Sequence, residues 1–289
     1  VNAVILGSSG FVGRALERHL ATTGVAVRGF SSATLDLTRA EALPLLDAVV
    51  GPETVLYVLA SLTPDRGATP RTMCQNLAMA ANLAAHLEAT SRRPAKIVLA
   101  STDAVYPAHA DRVDESTPTL PEGYYGVGKL AAEGALRAAT RATGTPLLIL
   151  RPTGLFGAGD PHGSYGPNRF VKSAIVDRKV KLFGDGEELR DHLFLADFVR
   201  VLAELPRTAA DGVVNVASGA SRSFASIVEE LRAIVPFELD LARLPRSGAV
   251  THRRYDISLL RRLLPGFEPS PFGESLRATF EGQTKLHAA

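Results

Sequence analysis

The chain has 289 residues, 46% of them hydrophobic, with a formal net charge of +2. That apolar content can fill a full core in one or two domains, and so small a net charge excludes a nucleic-acid or membrane-surface binder defined by its overall field. A single cysteine, Cys74, and seven scattered histidines exclude a disulfide framework and argue against a zinc site of the usual kind.

Short apolar runs at 1–6, 25–30, 54–60, 96–101 and 146–150 predict strands. The segments at 11–22, 39–50, 72–88 and 128–142 predict helices between them. That alternation implies an α/β fold with a doubly wound parallel sheet, because strands buried on both faces read as continuous apolar runs such as IVLA and LLIL. After Arg151 the texture changes. Residues 157–168 (GAGDPHGSYGPN) hold four glycines and two prolines, too many for regular structure. Strands follow at 181–183 and 213–217, and helices near 224–235 and 257–264. The expected division is a dinucleotide-binding body over 1–156, with later returns near 191–217. A smaller, mainly substrate-binding lobe over 157–289 packs at the carboxyl edge of the sheet. No run approaches a membrane span, and the opening residues read as a strand rather than a leader, so the expectation is a cytoplasmic protein.

Gly7-Ser8-Ser9-Gly10-Phe11-Val12-Gly13 joins the first strand to the first helix. Its glycines suit a tight turn, close approach of backbone to a pyrophosphate, and packing of helix on strand, while the helix N-terminus offers free N–H groups. The second strand ends at Ser31 without the carboxylate that holds the ribose of NAD, so NAD or NADP remains open. Arg28 is placed either to meet a 2′-phosphate or as a solvated strand-end residue. Asp36 is placed either for the adenine end or as the cap of a helix near Thr38. Tyr125 and Lys129, four residues apart, share a helix face, and an ammonium beside a phenol lowers its pKa into the acid/base range. Thr102 follows the fourth strand, where hydroxyls face the ligand crevice.

Together these motifs resemble the extended short-chain dehydrogenase/reductases of the nucleotide-sugar epimerase/dehydratase group, with a Rossmann sheet and a C-terminal substrate lobe. GSSGFVG is similar to that family's cofactor loop, YVLAS to its HLAA segment, STDAVYP to its catalytic hydroxyl segment and YGVGK to its Tyr/Lys pair. RPTGLFGAGD, GDGEELRDHLFLAD and Arg246-Ser247-Gly248 resemble its later motifs. The resemblance implies a nicotinamide cofactor, NAD or NADP, held by Gly7, Ser9, Gly10, Phe11, Val12, Ser31, Asp36, Leu37, Leu59, Ala60, Ser61, Asn76, Ala100, Tyr125, Lys129, Pro152 and Leu155. It implies Tyr125 as acid/base, Thr102 on the sugar hydroxyl or keto oxygen, and Lys129 on the ribose, tuning Tyr125. The substrate is then a nucleotide-diphosphate sugar, contacted by Thr102, Asp103, Arg169, Arg190 and Arg246, with no metal.

Arg suits bidentate phosphate contact, and residues 243–262 hold six Arg against one acid, Asp256. A diphosphate site explains some of these, and a solvated face or subunit contact explains the others. His162, Tyr165 and Arg169 border the Gly/Pro loop, where they either touch the sugar or serve the loop. Ala104 replaces the Glu of the family's dehydratases, which removes the base for elimination. Gly154 stands where many members have a substrate-contacting Asn, so the sugar is held differently. The expected activity is epimerisation by transient hydride transfer at a sugar carbon, C4. A 4-ketoreductase is the alternative, and a non-catalytic nicotinamide sensor is a third reading that the Tyr/Lys pair opposes. Alanine-rich helices over 72–88 and 128–142 predict a four-helix homodimer interface, with exposed helix-favouring Ala as the other reading.

Overall fold

In each buried strand, neighbouring side chains point to opposite faces, so a run without polar residues needs a hydrophobic layer on both sides. The computed structural model, which describes residues 2–288, supplies both layers. Val1, expected in the first strand, and Ala289 lie outside the described residues. In chain order the first half runs β1 (Asn2–Leu6), α1 (Phe11–Thr22), β2 (Val27–Phe30), β3 (Thr54–Val58), α2 (Pro70–Ala89), β4 (Lys96–Ala100), β5 (Arg112–Val113), α3 (Tyr124–Thr143) and β6 (Leu147–Pro152). It continues with β7 (Gly154–Phe156), α4 (Pro167–Asp177), β8 (Lys179–Phe183), β9 (Leu189–Arg190), β10 (His192–Phe194), α5 (Leu195–Glu204) and β11 (Gly212–Val216). The chain closes with β12 (Arg222–Ser223), α6 (Phe224–Ile234), β13 (Asp240–Leu244), β14 (Arg254–Tyr255), α7 (Ser258–Leu263) and α8 (Phe272–Ala288).

Six strands form one parallel sheet in the order β11-β6-β4-β3-β1-β2. Ala3, Ile5, Val55, Tyr57, Val98, Leu148 and Leu150 face α1 and α5, meeting Leu16, Leu20, Phe198 and Leu202. Val4, Leu6, Leu56, Val58, Ile97, Leu99 and Ile149 face α2 and α3, meeting Leu83, Leu87, Leu136 and Ala139. From β1 the chain crosses to β2 on one side and then to β3 on the other. The carboxyl ends of β1 and β3 therefore flank a topological switch point, where open α/β sheets bind ligands. A third core joins Phe170, Val171, Val180, Leu182, Phe224, Ile227, Leu231 and Phe280 from α4, β8, α6 and α8.

Three expectations change. The helix expected over 39–50 is a 3-10 helix, Ala40–Ala48, containing Pro44. A proline there has no N–H to donate and crowds the carbonyl four residues back, which opposes a regular α-helix. The helix expected from 128 starts at Tyr124, absorbing Gly126 and Gly128. A Cβ on Gly126 would lie 2.3 Å from the Ala104 carbonyl oxygen, so that glycine is there for close packing. Finally, the glycine-rich loop ends at Gly166, because Pro167 suits the first turn of α4.

Candidate active site

At the switch point β1 hands over to Gly7, whose φ of +93° favours glycine. The amides of Gly7 and Ser8 donate to the Phe30 carbonyl at 2.8 and 3.0 Å, tying the turn to β2. A Cβ on Gly7 would lie 2.7 Å from the Ala60 nitrogen, and one on Gly13 would lie 2.2 Å from the Gly7 oxygen. Loop, β3 end and α1 therefore close together only without side chains. Among the described residues no side chain caps α1, so its first amides are free and could meet an anion. A cleft of about 890 Å³ opens from this cradle. Its size and its bare amide rim fit a dinucleotide.

Gly7, Ser9, Gly10, Phe11, Val12, Ser31, Asp36, Leu37, Leu59, Ala60, Ser61, Ala100, Tyr125, Lys129, Pro152 and Leu155 all line this cleft. Asn76 does not. It is buried behind the wall, where its Oδ1 accepts from the Leu62 amide at 2.7 Å and its Nδ2 donates to the Leu62 carbonyl at 2.9 Å. It therefore shapes the loop after β3. Asp36 accepts from the Thr38 amide and hydroxyl at 2.9 and 2.7 Å, and these bonds hold its pKa low. It thus caps a turn as well as lining the cleft. Arg28 lies over the Phe30 ring, 5.2 Å from the centroid, and is not among the lining residues.

Thr102 follows β4 and caps a short 3-10 turn, its Oγ1 accepting from the Ala104 amide at 3.2 Å. Tyr125 enters the same cleft from the first turn of α3, with Thr102 and Ser61 in hydrogen-bonding reach. The expected lowering of its pKa is corrected. Burial, with the nearby Asp103 and Asp65 carboxylates, pushes the phenol up to about 12. Lys129 sits one turn along, but its Nζ donates to the Ala100 carbonyl at 2.5 Å. Burial brings that amine down to about 8, opposed by the charge of Glu133.

Beneath Lys129 lies a buried group that the sequence motifs missed. Glu133 is 0% exposed and Arg151 is 4% exposed. Arg151 donates to Glu133 twice, Nε at 3.0 Å and Nη2 at 2.7 Å. Ser101 Oγ donates to the same carboxylate at 2.5 Å, and Arg151 Nη1 donates to the Tyr106 hydroxyl at 2.9 Å. Tyr106 in turn donates to Asn215 Oδ1 on β11 at 2.7 Å. The network thus ties α3 to three strands of the sheet. A charged residue at the end of LLILR was the available signal, since a charge is rarely buried unless paired.

A second cavity, of about 620 Å³, adjoins the first, sharing Asp103, Gly154, Tyr165 and His192. Arg190 and Arg246 line it. Arg190 donates to Thr251 Oγ1 at 2.8 Å and to the Thr251 carbonyl at 2.7 Å. Arg246 pairs with Glu188 and, at 3.0 Å, with Glu187. Arg169 lies apart from these two, exposed on the rim of the larger cleft, where its Nε donates to the Gly163 carbonyl at 2.9 Å. Asp103 stands where the cavities meet. Its carboxylate accepts from the Tyr255 hydroxyl at 2.7 Å, and burial raises its pKa. His162 pairs with Asp65 across the cleft, bridging the glycine-rich loop to the turn after β3. Tyr165 packs in an aromatic cluster with Phe170, Phe183 and Phe224 while lining both cavities.

Among the described residues no three His, Cys, Asp or Glu side chains group as a metal site, and no helix is long and apolar enough to cross a membrane. The model of the NAD dependent epimerase/dehydratase family matches residues 3–217. A UDP-glucose 4-epimerase of Mycolicibacterium smegmatis is 26% identical over 97% of this chain and 98% of its own length. An uncharacterised UDP-glucose epimerase of Bacillus subtilis is 28% identical over 58% of this chain, a match that spans 54% of that relative's length. Among solved structures, RMD from Pseudomonas aeruginosa complexed with NADPH superposes with a TM-score of 0.86 at 24% identity, covering 99% of this chain and 100% of that one. The UDP-glucose 4-epimerase of Thermotoga maritima with UDP-glucose gives 0.83 at 22% identity, covering 99% and 100%. These two likenesses concern the fold, a parallel sheet with its cleft at the switch point. The family match, spanning the cofactor loop, the Tyr/Lys pair and the sheet through β11, shows that the chain belongs to the NAD dependent epimerase/dehydratase family of short-chain dehydrogenase/reductase-type enzymes.

Proposed function

We propose that this protein is a nucleotide-sugar epimerase acting at C4 of the sugar. The observation that carries the reading is the junction of two cavities. One is a dinucleotide-shaped cleft containing Thr102, Tyr125 and Lys129, and the other contains Arg190 and Arg246. A substrate whose diphosphate meets the two guanidiniums places its sugar at Asp103, beside Thr102 and Tyr125. Its kinship with UDP-glucose 4-epimerases supports the same substrate class. When bound, the nicotinamide supplies the acceptor and donor of hydride.

The chain's own residues handle the proton. Tyr125 Oη exchanges it with the sugar oxygen, and Thr102 Oγ1 orients that oxygen. With a pKa of about 12 the phenol keeps its proton near neutral pH, which leaves it as the donor to a ketone. Acting as base needs a positive charge beside it, and Lys129 is the resident cation one turn away. Lys129 also serves the ribose, with the glycine loop on the pyrophosphate.

A second reading, an NADPH-dependent 4-ketoreductase, draws on Ser31, which lines the cleft where NAD sites carry an acid. One experiment separates the two. Purified protein is incubated with UDP-glucose, dTDP-glucose, GDP-mannose or a nucleoside-diphosphate 4-keto sugar, each with a hundredth of that amount of cofactor, and the sugars are analysed. Many turnovers per cofactor support the epimerase. Conversion that stops at one product per cofactor, from the 4-keto sugar, supports the reductase, and absence of any conversion overturns both.

A further inference from the structure

His192 is 9% exposed and lines both cavities, yet its ring makes no hydrogen bond among the described residues. Its Nδ1 is buried without a partner. Buried polar atoms are nearly always paired, so the orphaned Nδ1 marks an imidazole that the protein's own hydrogen bonds do not hold, and Nε2 is the ring nitrogen left to meet a ligand. Burial, helped by the charge of Arg190, lowers its pKa to about 3, so the ring is neutral and carries one proton. An orphaned N–H is rarer in protein interiors than an unfilled acceptor, which leaves the lone pair at Nδ1 and the proton at Nε2.

Two glycines uncover that Nε2. Gly154 on β7 pairs in register with His192 on β10, and a Cβ there would lie 3.4 Å from Cδ2 and 4.0 Å from Nε2. A Cβ on Gly166 would lie 2.7 Å from Nε2. The position of Gly154 is also where the sequence lacks an expected polar contact to substrate. The side chain missing from β7 is thus matched by an imidazole from the neighbouring strand, occupying the space above it.

We infer that His192 is a specificity-determining residue, whose Nε2–H donates to a hydroxyl of the substrate sugar above Gly154 and Gly166. The inference rests on the nucleotide-sugar reading and names the group that holds the sugar.

The test measures binding to cofactor-loaded protein by titration calorimetry, using UDP-glucose, dTDP-glucose and GDP-mannose and their free nucleoside diphosphates. His192→Phe keeps a ring but no donor, His192→Gln returns an amide nitrogen near the Nε2 position, and His192→Asn returns one near Nδ1. For the sugar nucleotide that binds wild type, His192→Phe is expected to weaken affinity about tenfold, or about 1.4 kcal/mol. The free diphosphate should be unaffected. His192→Gln should recover most of the loss and His192→Asn should not. Equal binding by wild type and His192→Phe overturns the inference alone, as does equal loss for sugar nucleotide and free diphosphate. If His192→Phe fails to fold, equal affinities for the Gln and Asn variants overturn it. Failure of wild type to bind any of the three sugar nucleotides overturns both the functional reading and this inference.

Discussion

Tyr125 and Lys129 share one helix face, but their polar atoms part: the phenol turns to Thr102 and Ser61, the ammonium to the Ala100 carbonyl. Replacing Tyr125 by Phe removes the proton carrier while keeping the ring against the cleft wall. Turnover should fall by about 10²-fold or more, with cofactor affinity essentially unchanged in a fluorescence titration. A variant with near-normal turnover would remove Tyr125 from the chemistry. Glu133 poses a different test, since among the described residues Arg151 loses its one buried counter-charge in Glu133→Gln. Breaking a buried pair this way costs roughly 3–5 kcal/mol, readable by urea denaturation. The folded protein holds the Glu133 pKa below its ordinary value through Arg151, despite opposing burial. Its contribution is therefore complete above the ordinary glutamate range and is lost as pH falls through the lowered value. The stability gap between wild type and Glu133→Gln should narrow in acid. A gap independent of pH would show that the carboxylate's charge does not act.

The turn from β1 to α1 was legible because each glycine answers a steric demand that sequence spacing alone expresses: Gly7 against Ala60, Gly13 against Gly7. The end of β2 was legible in the same way, for Ser31 does line the cleft. At that element, NADP(H) should bind at least as well as NAD(H), because no carboxylate repels a 2′-phosphate. Ser31→Asp should weaken NADP(H) about tenfold, near 1.4 kcal/mol, with a smaller effect on NAD(H), as measured by titrating both into the cofactor-free protein. A tenfold preference of the wild type for NAD(H) would contradict this. Other elements gave little signal. β9, β12 and β14 have two residues each, too short to show a period, and β13 reads DLARL with no clean alternation. Lys129 reaching a carbonyl rather than the phenol was hidden too, since spacing on a helix gives a shared face and not a side chain's direction.

At the scale of the molecule, the second half of the chain cannot be separated cleanly from the first. β11 completes the sheet beside β6, and the Tyr57 hydroxyl donates to the Leu202 carbonyl in α5 at 3.1 Å. The opposite face of the sheet carries α2 and α3 side by side, and their outer stripes stay small and apolar. Cys74, Leu77, Ala81 and Ala85 on α2, with Val127, Gly134 and Ala138 on α3, are exposed. We propose that these stripes meet those of a second copy in a four-helix interface. Light scattering at micromolar concentration should then give twice the chain mass, and Ala81→Arg with Ala138→Arg should halve it. A wild-type monomer that still turns over would exclude the interface as a requirement for activity.

The pairing of Arg246 with Glu187 and Glu188 has a further consequence for how the second cavity meets an anion. The guanidinium is already neutralised, so the empty cavity is not a bare positive hole that traps any passing phosphate. An anion reaching Arg246 has to displace carboxylates, and the net gain is the difference between two ion pairs rather than the whole of one. Such a site works as an ion exchanger. A ligand that engages Arg190 and Arg246 together gains more there than free phosphate does.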